Sequence, residues 1–420
     1  MIVAGAILLL LAILGAPLFA IIATSAMLGL IREETDLMNV TLDILGIADL
    51  PFLVAIPLFT FAGYLLSESQ APRRLVRMTN SLLGWMPGGL AVVSLAACAF
   101  FTAFTGGSGV TIIALGAILY PALKHDGYAD RFNLGLVTSS GSLGLLFAPS
   151  LPIILYGVVS EVPIDKLFLA GILPGMLMLI MLSAYSTWTN RHIRKPLAEF
   201  SWREIAAAMR ESIWEIPLPF VVLGGIYSGF LVVSEAAAIT ALYVFVVEVL
   251  VHREIQWRDL PRIIRSAMVL VGGILIILGV SMASTNYMIS AGIPQMLLEW
   301  VSNLVSSQTT FLVLLLLFLL VLGAILDIFS AIVLVVPLIL PIAAGFDVHP
   351  VHLGIVFLAA MELGYLTPPV GLNLFISSYR FEKPILHVYS ATFPFLMILL
   401  MSVILIAFWP SLSLWLVPAT

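Results

Sequence analysis

Charged residues are confined to short stretches of this chain, and long apolar segments lie between them. Only 10% of the 420 residues are charged, whereas a soluble domain carries about 25%. All 18 Lys and Arg residues lie in or beside the short connections. Because so few polar residues could not cover a soluble core, the pattern predicts an all-α polytopic membrane protein.

The apolar segments have lengths typical of helices that cross or enter a membrane. They fall near 2–30, 44–66, 90–121, 132–157, 167–190, 216–232, 236–251, 267–289, 311–341, 352–377 and 389–415. Glu235 and Glu248 are interpreted as marking the ends of the segment 236–251. The first residues are apolar and show neither a charged leader nor a small-residue cleavage site, so no removable signal peptide is expected.

Several classes of function lack their usual residues. The single cysteine, Cys98, excludes a disulfide framework and provides no metal site. There is no basic stripe with interleaved aromatic residues, so no nucleic-acid partner is expected.

Glycine and proline residues recur at one fixed spacing along the chain, which we call the repeat interval. It relates, without a gap, Pro121 to Pro341, Gly144 to Gly364, Pro149 to Pro369, and Pro174 to Pro394. Internal repeats with interrupted apolar segments are typical of secondary transporters, in which the interruptions hold substrate and ions near the membrane midplane. The sequence therefore predicts that function resides at these interruptions.

The distribution of basic residues predicts the topology. If 90–121 and 311–341 are re-entrant hairpins, the positive-inside rule places 16 of the 18 basic residues in the cytoplasm. The first hairpin then enters from the cytoplasm and the second from outside, so the two repeats are inverted. The N-terminus is expected inside and the C-terminus outside.

This topology divides the chain into four regions. Scaffold helices occupy 1–66, and repeat 1 occupies 67–190 with its hairpin 90–121 and a broken helix 132–157. Amphipathic cytoplasmic helices and further scaffold helices occupy 191–266, and repeat 2 occupies 267–420 with its hairpin 311–341 and a broken helix 352–377. Mixed polar and apolar stretches at 73–85, 198–215 and 256–266 are expected to lie as helices on the cytoplasmic face.

The first repeat contains two interruptions. The hairpin tip at 105–109 reads TGGSG, and its backbone carbonyls and hydroxyls are the neutral oxygens that a Na⁺ ion requires. The segment 139–150 adds Ser, Gly and Pro where a helix break would expose free N–H and C=O groups. The alternatives are a small-residue packing point for the tip and a proline kink without a ligand for the segment.

The second repeat contains the matching pair. Asp327 follows a long uncharged run and lies beneath the predicted hairpin tip, with Ser330 one helical turn further on. A carboxylate inside the bilayer is a functional candidate, and the alternative is a position at the outer interface. The stretch 364–373 (GYLTPPVGLN) lacks backbone donors at two prolines, and Glu362 stands close to it.

At these motifs the chain resembles the large membrane subunit of the tripartite ATP-independent periplasmic (TRAP) transporters. The resemblance runs through nearly the whole chain and is carried by 56–59 (IPLF), 88–91 (GGLA), the tip 105–108, 141–150, Asp327 and 367–375 (TPPVGLNLF). The last run is the most specific. The tip departs from the family's usual Ser-Gly-Ser-Ser, because Gly107 has no hydroxyl.

The resemblance implies an elevator-type transporter with inverted repeats that imports small organic anions, usually carboxylates, with Na⁺ across a bacterial inner membrane. Its partners would be a small four-helix membrane subunit and a periplasmic substrate-binding protein. By motif, one Na⁺ site would be built from Thr105, Gly106, Gly107, Ser108, Gly141 and Ser142, a second from Asp327, Ser330, Gly364 and Thr367, and the substrate site from Pro149, Ser150, Pro368, Pro369 and Asn373.

Two other functions remain open at this point. A stand-alone anion or ion transporter of the same superfamily would work without a binding protein and a small membrane subunit. A polytopic membrane enzyme would need a nucleophile and a base at membrane depth, and no such pair can be assembled from this sequence.

Overall fold

The computed structural model describes residues 7–8, 10–11, 14, 16–50, 53–85, 88–191, 201–305 and 307–418. Within these residues the chain is helical and contains no strand, as the apolar pattern predicts. Five helices are long and apolar enough to cross a membrane, or up to eight spans if each sharply bent pair counts as one. The all-α membrane fold is therefore confirmed.

The first half of the described chain forms ten α-helices. These are α1 (Leu18–Arg32), α2 (Met38–Gly46), α3 (Ala55–Glu68), α4 (Ala71–Leu83), α5 (Gly89–Thr105), α6 (Ser108–Ala114), α7 (Gly116–His125), α8 (Asp130–Ser140), α9 (Leu151–Ser160) and α10 (Ile164–Thr189). Helices α6 and α7 meet at a bend of 49°. A short 3₁₀ turn, Leu143–Leu146, lies between α8 and α9.

The second half forms eleven more helices. These are α11 (Trp202–Glu211), α12 (Pro217–Tyr227), α13 (Val233–Phe245), α14 (Leu260–Ser290), α15 (Ile293–Leu304), α16 (Gln308–Gly323), α17 (Ile328–Gly345), α18 (Pro350–Gly364), α19 (Leu372–Arg380), α20 (Ile385–Phe408) and α21 (Ser411–Leu414). Helix α13 continues as a π-helical turn, Val246–Val251.

The repeat interval is visible in the helix boundaries. The start of α6 maps onto the start of α17, and the end of α7 maps onto the end of α17. Helices α16, α18, α19 and α20 follow α5, α8, α9 and α10 at the same spacing, within a few residues at each end. Even the connection after each hairpin matches, because Gly127 and Asp347 both have positive φ. The glycine and proline pattern therefore reflects two copies of one helical plan.

The two broken helices form the centre of the molecule. Every residue of α18 from Val351 to Gly364 is buried, and so is every residue of α8 from Phe132 to Ser140. A helix that is enclosed on all sides belongs to the core rather than to a lipid-facing layer. The break that follows α8 is consequently held inside protein, which is the condition for irregular backbone at membrane depth, whereas the break that follows α18 includes the exposed Pro368 and Pro369.

Three predicted segments differ from the structure. The segment 44–66 is not one helix, because the chain turns between α2 and α3. The segment 216–232 contains α12, which has only 11 residues, about 16 Å of helix. The stretch 256–266 does not form a separate surface helix, because its residues from Leu260 onward form the first turns of α14. Helices at 73–85 and 198–215 are present as α4 and α11, although 198–200 and the start of the first segment, 2–6, lie outside the described residues.

Candidate functional site

The first hairpin reverses at two glycines. Gly106 has φ +64°, a left-handed conformation that glycine adopts readily, and Gly107 is extended. Across this tip the hydroxyl oxygens of Thr102 and Thr111 lie 2.7 Å apart. The tip that the sequence predicts is therefore a closed turn between α5 and α6, held by a threonine pair that flanks it on either side.

The tip contacts the first broken helix at its predicted turn. The Thr102 hydroxyl lies 2.9 Å from the carbonyl oxygen of Gly141, to which it can donate. A Cβ at Gly141 would lie 3.2 Å from the carbonyl oxygen of Ser108. At Gly144 a Cβ would lie only 2.2 Å from the carbonyl oxygen of Ala99, so α5 packs backbone to backbone against this turn. The structure thus brings together the six residues predicted for the first Na⁺ site.

Two hydroxyl oxygens at this junction have no hydrogen-bond partner. Thr105 Oγ1 and Ser142 Oγ are buried and unpartnered among the described residues, and each side chain is 1% exposed. Burying a hydroxyl without a partner is unfavourable. One lone pair of the Gly107 carbonyl oxygen is occupied, because this oxygen accepts a hydrogen bond from the Thr111 amide at 3.3 Å. Neutral oxygens left free in a buried turn fit a dehydrated monovalent cation.

The second hairpin reverses between α16 and α17, and Asp327 caps the second arm. Its Oδ1 accepts hydrogen bonds from the amides of Phe329 and Ser330, both at 3.0 Å. Its Oδ2 accepts from the Ser330 hydroxyl at 2.5 Å. The carboxylate is exposed in the single chain, whereas Ser330 is buried. Asp327 therefore orders the start of α17 and still presents lone pairs outward.

The second tip also meets its broken helix at a glycine. A Cβ at Gly364 would lie 2.5 Å from the Cα of Gly323, which is again a backbone-to-backbone contact. The amide of Ile328 donates to the hydroxyl of Tyr365 at 3.0 Å. Thr367, which is half-buried, donates to the carbonyl of Leu363 at 3.0 Å and keeps its lone pairs. The four residues predicted for the second Na⁺ site thus lie at one junction.

The residues predicted for the substrate site are divided between buried and exposed positions. Ser150 and Asn373 are completely buried, and Ser150 Oγ and Asn373 Oδ1 have no partner among the described residues. The Asn373 amide lies 3.5 Å from the carbonyl oxygen of Thr138, so the second broken helix touches the first. Pro149 is buried, whereas Pro368 and Pro369 are exposed.

Glu362 is a buried carboxyl group that the sequence places beside the second turn without giving it a role. It is 1% exposed, and neither carboxyl oxygen has a hydrogen-bond partner among the described residues. It lies on α18, close to the turn glycine Gly364. A buried carboxyl group therefore lies two residues before the glycine of the second junction.

Sequence reasoning missed three further residues of the site. Thr102 and Thr111 join the first tip, and the Tyr365 hydroxyl joins the second tip to its turn. A signal for the threonines exists in the sequence, since each lies one helical turn outside the 105–108 tip. Tyr365 lies within the motif 364–373, but its contact with Ile328 depends on how the two helices pack.

Comparison with known proteins identifies the family. Residues 3–412 match the family model described as "Tripartite ATP-independent periplasmic transporter, DctM component". The chain belongs to this family. The family's description and its relatives concern transporter permeases, in agreement with the expectation of a transporter rather than an enzyme.

Two relatives illustrate the range of the family. The C4-dicarboxylate TRAP transporter large permease protein DctM of Rhodobacter capsulatus is 34% identical over 378 residues, covering 86% of each chain. The isethionate TRAP transporter permease protein DctMQ of Oleidesulfovibrio alaskensis is 30% identical and is longer, since the match covers 86% of this chain and 57% of that protein.

A solved structure has a similar fold. The YdaH transporter of Alcanivorax borkumensis, described as having an unusual topology, superimposes with a TM-score of 0.63 over 90% of this chain and 89% of that one. The sequence identity is 13%, so this likeness concerns the fold alone. This DctM-family chain is thus a TRAP large permease subunit and a multi-pass membrane protein.

Proposed function

We propose that this TRAP permease imports a small organic anion together with Na⁺. The observation that carries the proposal is the pair of junctions at which a hairpin tip meets a broken helix. At the first junction the buried oxygens of Thr105 and Ser142 have no partner among the described residues, and at the second Asp327 presents a carboxylate. The two junctions are related by the repeat interval, as expected of transporter sites built by a repeat.

Na⁺ is cargo in this proposal. Its first site consists of Thr105, Gly106, Gly107, Ser108, Gly141 and Ser142, and its second site consists of Asp327, Ser330, Gly364 and Thr367. The first set supplies neutral oxygens and the second adds one negative charge. The negative charge favours a cation at the second site electrostatically, whereas the first site relies on hydroxyl and carbonyl dipoles.

The anion would lie between the two junctions, near Pro149, Ser150, Pro368, Pro369 and Asn373. The Asn373 amide and the Ser150 hydroxyl can donate to a carboxylate, and the amides at the start of α9 and α19 add the partial positive charge of helix N-termini. The class of anion is proposed as a carboxylate, because the Rhodobacter relative is named for C4-dicarboxylates. Another relative is named for isethionate, so membership of the family does not by itself specify the anion.

The proposed partners are a small four-helix membrane subunit and a periplasmic substrate-binding protein, in a bacterial inner membrane. The greater length of the DctMQ relative, whose name joins two components, supports the membrane partner. The proposed motion is a sliding of the two hairpins and two broken helices as one unit against the remaining helices. Support comes from the contact of Asn373 with Thr138 and from the apolar cluster in which Leu374 of α19 packs with Leu134 of α8.

Uptake into proteoliposomes tests the proposal. The chain is reconstituted with its two partner proteins, and uptake of a labelled C4-dicarboxylate is measured with an inward Na⁺ gradient. Replacing Na⁺ by choline is expected to abolish uptake, and omission of the binding protein is expected to do the same. Uptake that is unchanged in choline contradicts Na⁺ coupling, and uptake without the binding protein contradicts the tripartite arrangement.

A further inference from the structure

A buried arginine with three carboxylate partners lies away from the transport site. Arg74 on α4 is 6% exposed, and its Nε lies 2.5 Å from Glu215 Oε1. Its Nη2 lies 3.2 Å from Glu248 Oε2, and its Nη1 is paired with Glu254. Glu215 and Glu248 are 3% and 0% exposed. We refer to Arg74, Glu215, Glu248 and Glu254 as the Arg74 cluster.

The Arg74 cluster fastens the helix that leads into the first hairpin. Helix α4 ends at Leu83, and the hairpin arm α5 begins at Gly89. Glu248 belongs to the π-helical turn after α13, and Glu215 follows α11. The Ser212 hydroxyl also donates to the carbonyl of Arg74 at 3.3 Å. One guanidinium therefore joins α4 to two elements of the region predicted as scaffold.

The charges in the cluster do not balance. One guanidinium carries a single positive charge, whereas three ionised carboxylates would carry three negative charges within a buried volume. Glu215 Oε2 is buried and has no hydrogen-bond partner among the described residues. Burial of an uncompensated charge is strongly unfavourable, so the cluster favours the uptake of a cation.

Glu248 and Glu254 share the two terminal nitrogens of one guanidinium, since Arg74 Nη2 lies 3.2 Å from both Glu248 oxygens and Nη1 is paired with Glu254. Two carboxylates held on one guanidinium repel each other when both are ionised, so one of them is favoured to carry a proton. Burial opposes ionisation of Glu254, but the Gln70 amide and the Arg74 guanidinium together hold the pKa of Glu254 below its ordinary value. The proton is therefore carried by Glu248, the completely buried member.

We propose that the Arg74 cluster is a proton-binding site, in which Glu248 holds one proton and thereby lowers the excess negative charge that would otherwise weaken the attachment of α4 to the scaffold. The site is independent of the Na⁺ and anion sites and does not depend on the identity of the substrate. It faces the side that the positive-inside rule assigns to the cytoplasm. The pH of that side thus acts on the attachment of the helix that leads into the first hairpin.

The direction in which pH changes the stability of the fold follows from the coupling between proton binding and folding. The folded cluster holds a proton on the buried Glu248 at pH values where a glutamate of an unfolded chain is ionised, so this contribution to stability is present at low pH and is lost as the proton leaves. The other charged groups of the packed elements are largely paired with one another: Arg77 with Glu204 and Glu211, and Arg262 with Glu68. The same elements also carry exposed arginines, which are Arg73 on α4, Arg203 and Arg210 on α11, and Arg253 and Arg258 after Glu248, together with Asp259. Tyr243, whose hydroxyl donates to Trp214, and His252, whose Nε2 is buried without a partner among the described residues, are further titratable neighbours.

Infrared spectroscopy of the full-length chain in lipid nanodiscs reads this proton directly. A protonated carboxylic acid shows a C=O stretch that an ionised carboxylate lacks. On titration from about pH 6 to about pH 9, the native chain is expected to lose one such band, and Glu248→Gln is expected to lack that band throughout. Glu215→Gln is expected to retain this band. Glu362→Gln removes the other buried carboxyl group, which lies outside the Arg74 cluster, and as the control it is also expected to retain the band.

Thermal unfolding of the same samples provides the second readout. Because glutamine resembles a protonated glutamate, Glu248→Gln is expected to fold with the stability that the native chain has at low pH and to lose its pH dependence over this range. A titrating band that persists in Glu248→Gln overturns the proposal, and so does a Glu248→Gln chain that fails to fold at low pH. A band that disappears only in Glu215→Gln assigns the proton elsewhere and also overturns it. None of these outcomes depends on Na⁺ or on transport.

Discussion

The two repeats share one helical plan but present their junctions differently. In the first repeat the tip residues Thr105 and Ser108 and the turn residue Ser142 are all buried. In the second repeat Asp327, Pro368 and Pro369 are exposed, although the turn glycine Gly364 is buried. The inverted arrangement that the sequence predicts would produce a difference of this kind, because two copies in opposite orientations face opposite sides within a single conformation.

The helices that precede the two hairpins also differ. Helix α4 is held by the Arg74 cluster, whereas α15, its counterpart at about the repeat interval, carries one charged residue, Glu299. Helix α15 instead borders an apolar cavity of about 370 Å³ with α16 and α17. The helix that precedes the hairpin is thus held by buried ion pairs in the first repeat and is bordered by apolar side chains in the second.

The largest expected effect concerns α4, the helix that leads into the first hairpin. Arg74→Ala leaves the carboxylates of Glu215 and Glu254 without their counter-charge, and we expect a loss of about 3–5 kcal/mol in the free energy of unfolding. Arg77→Ala is the matched control on the same helix, because Arg77 is half exposed and its ion pairs are surface pairs. Chemical unfolding of the purified chains measures both. Equal effects of the two variants contradict the difference between buried and surface pairing.

The next effect compares the two junction glycines. Gly144→Ala places a Cβ against the Ala99 carbonyl, and Gly364→Ala places one against Gly323, so each is expected to cost about 1–3 kcal/mol of stability. Gly272→Ala on α14 is the control, since a Cβ there meets nothing within 4 Å. Thermal unfolding compares the three. A tolerated Gly364→Ala shows that the second junction is packed more loosely than the first.

Asp327→Asn separates charge from capping in the second repeat. Asparagine caps a helix about as well as aspartate, so stability is expected to change little while the negative charge is lost. The Na⁺ concentration for half-maximal uptake is expected to rise about tenfold, which corresponds to about 1.4 kcal/mol of binding free energy. An unchanged Na⁺ dependence removes Asp327 from the cation site.

The smallest effect compares two threonines of the first tip. Thr102→Val removes a hydroxyl that contacts Gly141 and Thr111, and is expected to cost about 1 kcal/mol of stability. Thr105→Val removes a hydroxyl without a partner among the described residues, so stability is expected to be retained while Na⁺ activation weakens. Unfolding and Na⁺-dependent uptake are measured for both. The reverse pattern assigns the structural role to Thr105.

Much of the fold and of the candidate site is predictable from the sequence. The broken helices and hairpin tips were located from Gly, Ser and Pro residues, because these act locally on backbone geometry and hydrogen bonding. The repeat interval paired the four interruptions, and the structure places the predicted Na⁺ ligands of each set at one junction. Helix ends were less predictable, as the fusion of 260–266 into α14 shows, since continuation of a helix depends on what packs against it.

Glu248 shows where local reasoning ends. Its place near the end of an apolar segment suggested a boundary marker, a role that Glu235 does fill by accepting from the Val232 amide. In the structure Glu248 is instead buried against Arg74, which lies far away in the chain. No local pattern distinguishes these two glutamates, because the difference depends on a partner from a distant helix.

The sequence by itself determined that this protein is a helical membrane protein built from a repeated unit, and where that unit is interrupted. Charge distribution and apolar length decide what can enter a bilayer, and both are properties of the chain read in order. Only the tertiary structure decided which oxygens remain without partners among the described residues, that Thr102 joins Thr111 and Gly141, and that one arginine gathers three glutamates. These depend on the close approach of helices whose contacts no local spacing encodes.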